Sequence, residues 1–149
     1  LVAGLCFGKE NVRAAGIPSS LALAAHVLKD KENARCAALF DGRNKEILVA
    51  VVEKKSGVFA DPGRTDILDR DSDFAKEFDS VEKLVSMEKD KDALAKVLPP
   101  EILSRVEFFE KFPVQEFFSS EINVRSGIND LIYVRPAVFV EPKKFRNVN

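Results

Sequence analysis

Cys36-Ala37-Ala38-Leu39-Phe40-Asp41-Gly42-Arg43-Asn44-Lys45-Glu46-Ile47 is the stretch of the sequence that decides the fold. An apolar run ends at Phe40, a polar and glycine-containing group follows from Asp41 to Asn44, and a β-branched run begins at Glu46. Aspartate, glycine and asparagine favour tight turns, and apolar runs on either side of such a turn are typical of a β-hairpin. The stretch therefore predicts two antiparallel strands, over Arg35–Phe40 and Glu46–Val52.

The residues after this hairpin predict further strands and helices. A second turn over Lys54–Gly57 leads into Val58–Ala60, which pairs as a third strand and completes an antiparallel meander. Beyond it, short apolar runs alternate with runs rich in helix-forming residues. They predict strands over Lys83–Met87, Val106–Phe108 and Leu131–Val134, and helices over Asp73–Phe78, Asp90–Leu98 (stopped by Pro99-Pro100) and Pro113–Ile122.

The residues before the hairpin predict mainly helix. Leu1–Gly8 has the pattern of a helix that ends at Gly8, and Asn11–Ala15 reads as a weak short strand. The next helix is predicted over Leu21–Leu28, with Ser19 as its N-cap.

This order of elements predicts an α/β fold. Three antiparallel strands followed by strand-to-helix crossings give a mixed sheet flanked by helices. The same order is similar to that of a ribonuclease-H-like layer, from which each half of the actin-like ATPase superfamily is built. That similarity concerns the fold and implies no function by itself.

The composition is that of a folded domain without an extended charged surface. Of 149 residues, 46% are apolar and 32% are charged, and the formal net charge is −1. A chain so close to neutrality has no overall field that attracts nucleic acid or an anionic membrane. Its apolar runs are shorter than the ~20 residues of a membrane helix. Cys6 and Cys36 lack a metal-type spacing, and Leu1–Phe7 lacks the pattern of a signal peptide, which together predict buried thiols and a cytoplasmic protein.

Motifs that would carry chemistry are incomplete. The glycine spacing in Gly4–Glu10 is one residue too short for a phosphate loop, and Glu10 stands where a serine or threonine must hold magnesium. The acidic run Asp69–Asp73 lacks the glycine and the closing glutamate of a calcium loop. His26 is the only histidine, too few for a His-x-x-x-His zinc site. The sequence therefore predicts no catalytic residue, no metal and no cofactor.

The hairpin resembles a segment of the TsaB/YeaZ family, which belongs to the glycoprotease-like superfamily. The family pattern is an apolar strand followed by Asp-Ala-Arg-x-Gly-Glu-Val-Tyr. Asp41, Arg43 and Glu46 fall in register with it, whereas Lys45 replaces the glycine and Leu48 replaces the tyrosine.

Two further segments carry the same resemblance. Ala14–Leu21 is similar to the family's strand and Gly-Val-Ser-Ser/Thr-Leu segment, with Pro18 as an extra residue. Ile132–Pro136 is similar to its terminal Val/Leu-Tyr-Leu-Arg signature. The family's N-terminal actin-like half, which opens with an Ile-Asp-Thr-Ser strand, has no counterpart here. We therefore expect residues 1–18 to be the remnant of that half and residues 19–149 to form the C-terminal ribonuclease-H-like domain.

The resemblance implies a function in tRNA modification. TsaB-type proteins are inactive paralogues of the catalytic subunit TsaD and pair with it. Together with the TsaE ATPase, the complex moves a threonylcarbamoyl group onto the tRNA adenosine beside the anticodon, and TsaB itself contacts tRNA at most indirectly. The family's TsaD-facing surface lies largely in the N-terminal half, so this chain alone is expected to bind TsaD weakly. Its uncovered sheet edge is expected to favour self-association.

The resemblance also places the candidate site residues. Asp41, Arg43 and Glu46 cluster around the hairpin turn, where they either fix the turn and the interdomain cleft or contact a partner or a nucleotide. Tyr133 and Arg135 are expected to anchor the C-terminal segment onto the sheet.

A final comparison with the superfamily concerns phosphate binding. In its active members, a Gly-x-Gly turn after a strand lets the backbone approach nucleotide phosphates. The corresponding stretch here is Leu84–Glu88, where Met87 is expected to crowd the turn and Glu88 to add a negative charge. An inactive scaffold is therefore expected. A nucleotide-binding or enzymatic member of the actin-like or glycoprotease superfamily stays open as the alternative, and a protease is disfavoured by the single histidine.

Overall fold

The structure is a computed structural model, and it describes residues 17–59 and 64–113 of the chain. The predicted elements over Leu1–Gly8, Asn11–Ala15, Pro113–Ile122 and Leu131–Val134 therefore lie wholly or almost wholly outside the described residues.

The first described element is the helix α1, Ser19–Val27. Its alanines and leucines are strong helix formers, and most of them are buried against the sheet. The predicted N-cap is wrong by one residue, because Pro18 holds the N-cap position and no side chain caps the helix there. Ser19 is instead the first helical residue.

The predicted hairpin is formed by β1, Ala34–Arg43, and β2, Glu46–Lys55. The strands pair antiparallel from Ala34 opposite Lys54 to Arg43 opposite Glu46, with a bulge at Gly42. The predicted turn over Asp41–Asn44 is therefore misplaced. The strand continues through Arg43, and Asn44 and Lys45 make the turn.

The predicted third antiparallel strand exists, and β2 pairs with a further antiparallel strand that was not predicted. The strand predicted over Val58–Ala60 is β3, Val58–Phe59, which pairs with the end of β2. The further strand, β4, spans Arg64–Leu68 and pairs with β2 from Ile47 to Val51. The strand β4 was not predicted, because acidic residues are frequent from Asp66 onward and this part of the sequence does not have the apolar pattern of a strand.

Two parallel strands complete the described sheet. The strand predicted over Lys83–Met87 is β5, with those same bounds, and it pairs with β1. The strand predicted over Val106–Phe108 is β6, Val106–Phe109, and it pairs with β5.

Short helices connect these strands. The helix predicted over Asp73–Phe78 is α2, Phe74–Glu77, and the side chain of Asp73 accepts a hydrogen bond from the backbone N–H of Lys76 as its N-cap. The helix predicted over Asp90–Leu98 is shorter and broken into a 3-10 turn, Glu88–Asp90, and α3, Lys91–Leu94.

Pro99 and Pro100 do not simply stop that helix. Pro99 is the N-cap of a further helix, α4, Pro100–Leu103, which was not predicted from the sequence. Proline is favoured at the first position of a helix because its missing N–H would have no partner there.

The protein has an α/β fold with a mixed sheet of six strands flanked by helices. The strands lie in the order β3-β2-β1-β5-β6, and β4 pairs with β2 beside β3. Neighbouring residues of β1 face opposite sides: Cys36 and Ala38 pack with α1, whereas Ala37 and Leu39 pack with α2, α3 and α4. The coarse prediction of fold class is confirmed. No helix in residues 17–59 and 64–113 is long and apolar enough to cross a membrane.

Candidate functional site

The carboxyl ends of β1, β5 and β6 lie at one edge of the sheet, because these three strands run parallel. In open α/β sheets, ligands bind in the crevice at this edge. The predicted trio of Asp41, Arg43 and Glu46 lies here, at the end of β1 and the start of β2. The hairpin therefore brings these three residues together where a ligand or partner would be expected.

The tip of the hairpin has a strained backbone. Arg43, Asn44 and Lys45 have φ angles of 62°, 51° and 65°, all in the left-handed region. Positive φ at both Asn44 and Lys45 is what a two-residue hairpin turn of type I′ requires. Asparagine tolerates this conformation, whereas for arginine and lysine it costs about 1–2 kcal/mol each. The rest of the hairpin must hold this turn in place.

A hydrogen bond and a glycine stabilise the turn. The side chain of Asp41 caps it, because Oδ1 accepts a hydrogen bond from the backbone N–H of Arg43 at 2.8 Å. Gly42 allows the two strands to approach, since a Cβ atom at this position would lie 2.9 Å from the carbonyl oxygen of Glu46. Asp41 and Gly42 therefore both help to fix the turn.

The charged side chains of the tip differ in where they point. Arg43 and Lys45 are exposed, and neither makes an ion pair with any residue the structure describes. Glu46 is half-buried, and one of its carboxylate oxygens is screened from solvent.

The stretch expected to correspond to a phosphate turn is filled by side chains. Ser86 is fully buried, and its Oγ donates a hydrogen bond to the carbonyl oxygen of Leu39 at 2.7 Å. Met87 is buried in the apolar cluster that contains the core residues of α1. Glu88 begins the 3-10 turn, and its Oε1 lies 3.0 Å from Nζ of Lys91. No glycine gives the backbone access to a phosphate between Leu84 and Glu88.

Asp90 adds a further carboxylate to this edge. Burial raises the pKa of its carboxyl above the ordinary range, and the charge of Asp41 raises it too. The charge of Lys89 and a hydrogen bond from the backbone N–H of Asp41 oppose that rise in pKa. The carboxylates of Asp41 and Asp90 thus lie near each other at this edge, and a phosphate beside them would meet charges of its own sign.

The remaining candidates do not build a second site. Tyr133 and Arg135 lie outside the described residues. His26 packs edge-on against the ring of Phe109, with 5.3 Å between ring centroids. In residues 17–59 and 64–113, no group of three or more histidine, cysteine, aspartate or glutamate side chains is arranged to hold a metal ion.

Comparison of the chain with protein-family models, curated proteins and solved structures finds no significant match.

One residue of the edge and one that supports the hairpin were not predicted from the sequence. Asp90 carries no motif, and only the packing of the 3-10 turn against Asp41 gives it a role. Lys54 is buried, with its Nζ bonded to the carbonyl oxygens of Leu28 and Lys29. Strand alternation could have found Lys54, because it shares the face of β2 that buries Ala50 and Val52.

Proposed function

We propose that the protein is a non-catalytic scaffold subunit in the synthesis of threonylcarbamoyladenosine on tRNA. In this proposal it works in the cytoplasm beside a TsaD-type catalytic subunit and a TsaE-type ATPase, and residues 19–149 form its C-terminal domain. The proposal rests on the resemblance of the sequence to the TsaB/YeaZ family together with the chemistry of the sheet edge.

The proposal that the protein is not catalytic is supported by one observation: side chains occupy the position after β5 where a phosphate-binding turn would lie. Ser86 is bonded to Leu39 across the two strands, Met87 is committed to the core, and Glu88 presents a carboxylate instead of a glycine backbone. A nucleotide would have to displace these contacts and approach Asp41 and Asp90 with its own negative charge. Both requirements oppose binding.

The sheet supports the finer interpretation of the fold. Three antiparallel strands in chain order are followed by two parallel strands on the other side of β1. We propose that this is the ribonuclease-H-like layer of an actin-like half.

One feature of the hairpin departs from the family pattern. Where the family has alanine, this chain has Gly42, and an alanine there would place its Cβ atom 2.9 Å from the backbone of Glu46. Where the family has glycine, this chain has Lys45 in a left-handed conformation. The glycine of this chain thus lies at the bulge and not in the turn. We therefore propose that the hairpin tip differs in shape from that of the family, and that a partner would contact it differently.

A nucleotide titration separates this proposal from the alternative of a nucleotide-binding superfamily member. Calorimetry with magnesium–ATP should give no saturable heat up to millimolar concentration, and ATP should not raise the melting temperature. Saturable binding accompanied by a thermal shift would support the alternative and contradict the proposal that side chains block a phosphate after β5.

A further inference from the structure

We infer that an aromatic rim on the α1 face of the sheet is the docking surface for residues 113–122 of the same chain, which pack there as an amphipathic helix. The rim is formed by Phe40, Phe109 and Phe112, and all three side chains are half-buried. This inference does not depend on the role in tRNA modification. It rests on the unequal cover of the two faces of the sheet and on the sequence that continues from the rim.

The two faces of the sheet carry different numbers of described helices. Helices α2, α3 and α4 all contribute buried residues to the apolar cluster on one face. On the other face, α1 is the only helix of residues 17–59 and 64–113 that contributes to the cluster. The phenylalanines of the rim pack against this second cluster and keep part of their surface exposed. Burying that surface further is favourable, because it removes apolar area from water.

The rim lies at the carboxyl edge of the sheet and is bordered by apolar and aromatic groups. Phe109 is the last residue of β6, and Met87, the last residue of β5, is buried in the same cluster. The ring of His26, near the end of α1, packs edge-on against Phe109 with 5.3 Å between ring centroids. A surface of this composition favours an occupant with apolar and aromatic side chains.

The sequence directly after the rim supplies such side chains. Phe112 belongs to the rim, and Pro113 is the last residue that the structure describes, so the chain continues from the rim itself. Proline is favoured at the first position of a helix. The following residues lie outside the described part of the chain, and four of them recur at the spacing of one helical face: Val114, Phe117, Phe118 and Ile122.

Direct connection to the rim favours this segment over other occupants. A segment joined by a short connection reaches an effective concentration in the millimolar range, which a separate protein or a second copy would have to exceed. Leu1–Phe7 is also apolar and also lies outside the described residues. It joins the described chain before the start of α1, however, whereas the rim borders His26 near the end of that helix.

Nuclear Overhauser spectroscopy of the full chain tests the docking. In an isotopically labelled sample, we expect cross-peaks from the rings of Phe117 and Phe118 to the ring of Phe109 or Phe40. In an equimolar mixture of labelled and unlabelled chain, an isotope-filtered spectrum reports only contacts between chains, and there these cross-peaks should be absent. Their absence from the first spectrum, their presence in the second, or cross-peaks to the rim from Leu1–Phe7 would each overturn the inference.

A matched pair of variants tests the same docking through exposure of the rim. Phe117→Asp places a charge on the apolar face of the segment, which opposes its burial. The dye 8-anilinonaphthalene-1-sulfonate, which binds exposed apolar surface, should then fluoresce several-fold more strongly than with the parent. Ser119→Asp adds the same charge to the polar side and should leave the fluorescence unchanged.

Circular dichroism first establishes that both variants fold, and Phe117→Ala replaces Phe117→Asp if that variant does not. Equal dye binding by the two variants, or no gain with the variant at position 117, would overturn the inference.

Discussion

The ammonium group of Lys54 donates a hydrogen bond to the backbone carbonyl of Leu28 at 2.8 Å, which ties β2 to the end of α1. A second bond runs from the same nitrogen to the carbonyl of Lys29 at 2.9 Å, and Nζ lies 5.1 Å from the centroid of the Phe59 ring. The last carbonyls of a helix have no partner within it and carry partial negative charge. A buried lysine on the face of β2 that packs against α1 thus satisfies the end of this helix.

Replacing Lys54 with methionine should therefore destabilise the fold more than an ordinary surface substitution does. The methionine keeps the apolar stem but leaves two carbonyls without their charged donor, so we expect a loss of about 1.5–3 kcal/mol in the free energy of unfolding. Urea denaturation of the two proteins measures it.

Lys55→Met is the matched control for that prediction. Lys55 is exposed and pairs with Glu53 at 2.9 Å, and surface ion pairs contribute about 0–1 kcal/mol. Equal losses in the two variants would mean that the bonds from Lys54 to the end of α1 contribute nothing specific.

The hairpin turn predicts opposite effects for two neighbouring substitutions. Lys45→Gly removes a side chain from a left-handed position and should stabilise the protein by about 1 kcal/mol. Gly42→Ala introduces a Cβ atom 2.9 Å from the carbonyl oxygen of Glu46 and should destabilise it by about 1–3 kcal/mol. Thermal unfolding of both variants tests the pair, and a stabilising alanine at position 42 would show that the bulge is not as tight as described.

Much of the sheet could be predicted from the sequence, because its central strands are continuous apolar runs bounded by polar residues. The predicted bounds of β5 match the structure, although this strand begins with Lys83 and contains the buried Ser86. The strand β4 was missed because it carries Asp66 at its centre, although the turn signal Pro62-Gly63 stands directly before it in the sequence. The turn was misplaced because propensities assign left-handed backbone to glycine, whereas here Arg43, Asn44 and Lys45 adopt it.

The site was predictable only in part. The trio at the hairpin could be placed together because one turn connects its members. Asp90 could not be given a role, and strand alternation places Lys54 on a buried face without naming its partners, since these depend on a 3-10 turn packing beside β1 and on a helix ending beside β2. Such contacts between distant segments leave no local signal in the sequence.

Cys36 should be chemically inert while the protein is folded. Burial raises the pKa of its thiol to about 12, and the nearby charge of Glu107 adds to the rise. The reactive thiolate is therefore absent at pH 8. In a Cys6→Ser background, iodoacetamide should label Cys36 only after denaturation, as mass spectrometry would register. Rapid labelling of the native protein would contradict the burial of this thiol.

The raised pKa of Cys36 also predicts how the stability of the protein changes at alkaline pH. The unfolded thiol ionises near its ordinary pKa of 9.0, whereas the folded thiol stays protonated up to about pH 12. The unfolded state thus binds fewer protons in this window, and the contribution of Cys36 to stability falls as the pH rises through it.

Asp90→Asn should stabilise the protein at neutral pH. The pKa of Asp90 is raised in the folded state, mainly by burial, so the native protein holds a proton that the unfolded chain releases once the pH exceeds its ordinary value. The contribution of Asp90 to stability is therefore largest below the pKa of the unfolded carboxyl, falls as the pH rises to the raised pKa of the folded state, and stays low at higher pH. The asparagine variant lacks this decline. Melting curves at pH 7 and at pH 3 should show a gain at pH 7 that disappears at pH 3.

The exposed Asp79 provides the control for that comparison. Asp79→Asn should change stability little at either pH. If Asp90→Asn shows the same small and pH-independent change, Asp90 is not held in the environment that the structure assigns to it.

Reconstitution of tRNA threonylcarbamoylation tests the proposed function most directly. The natural protein would be combined with the TsaD-type and TsaE-type subunits and the activated threonylcarbamoyl donor, and modified adenosine in tRNA measured by mass spectrometry. The scaffold account predicts that modification requires the protein and survives Glu88→Gln. Full modification without the protein, or its loss on replacing that glutamate, would contradict it.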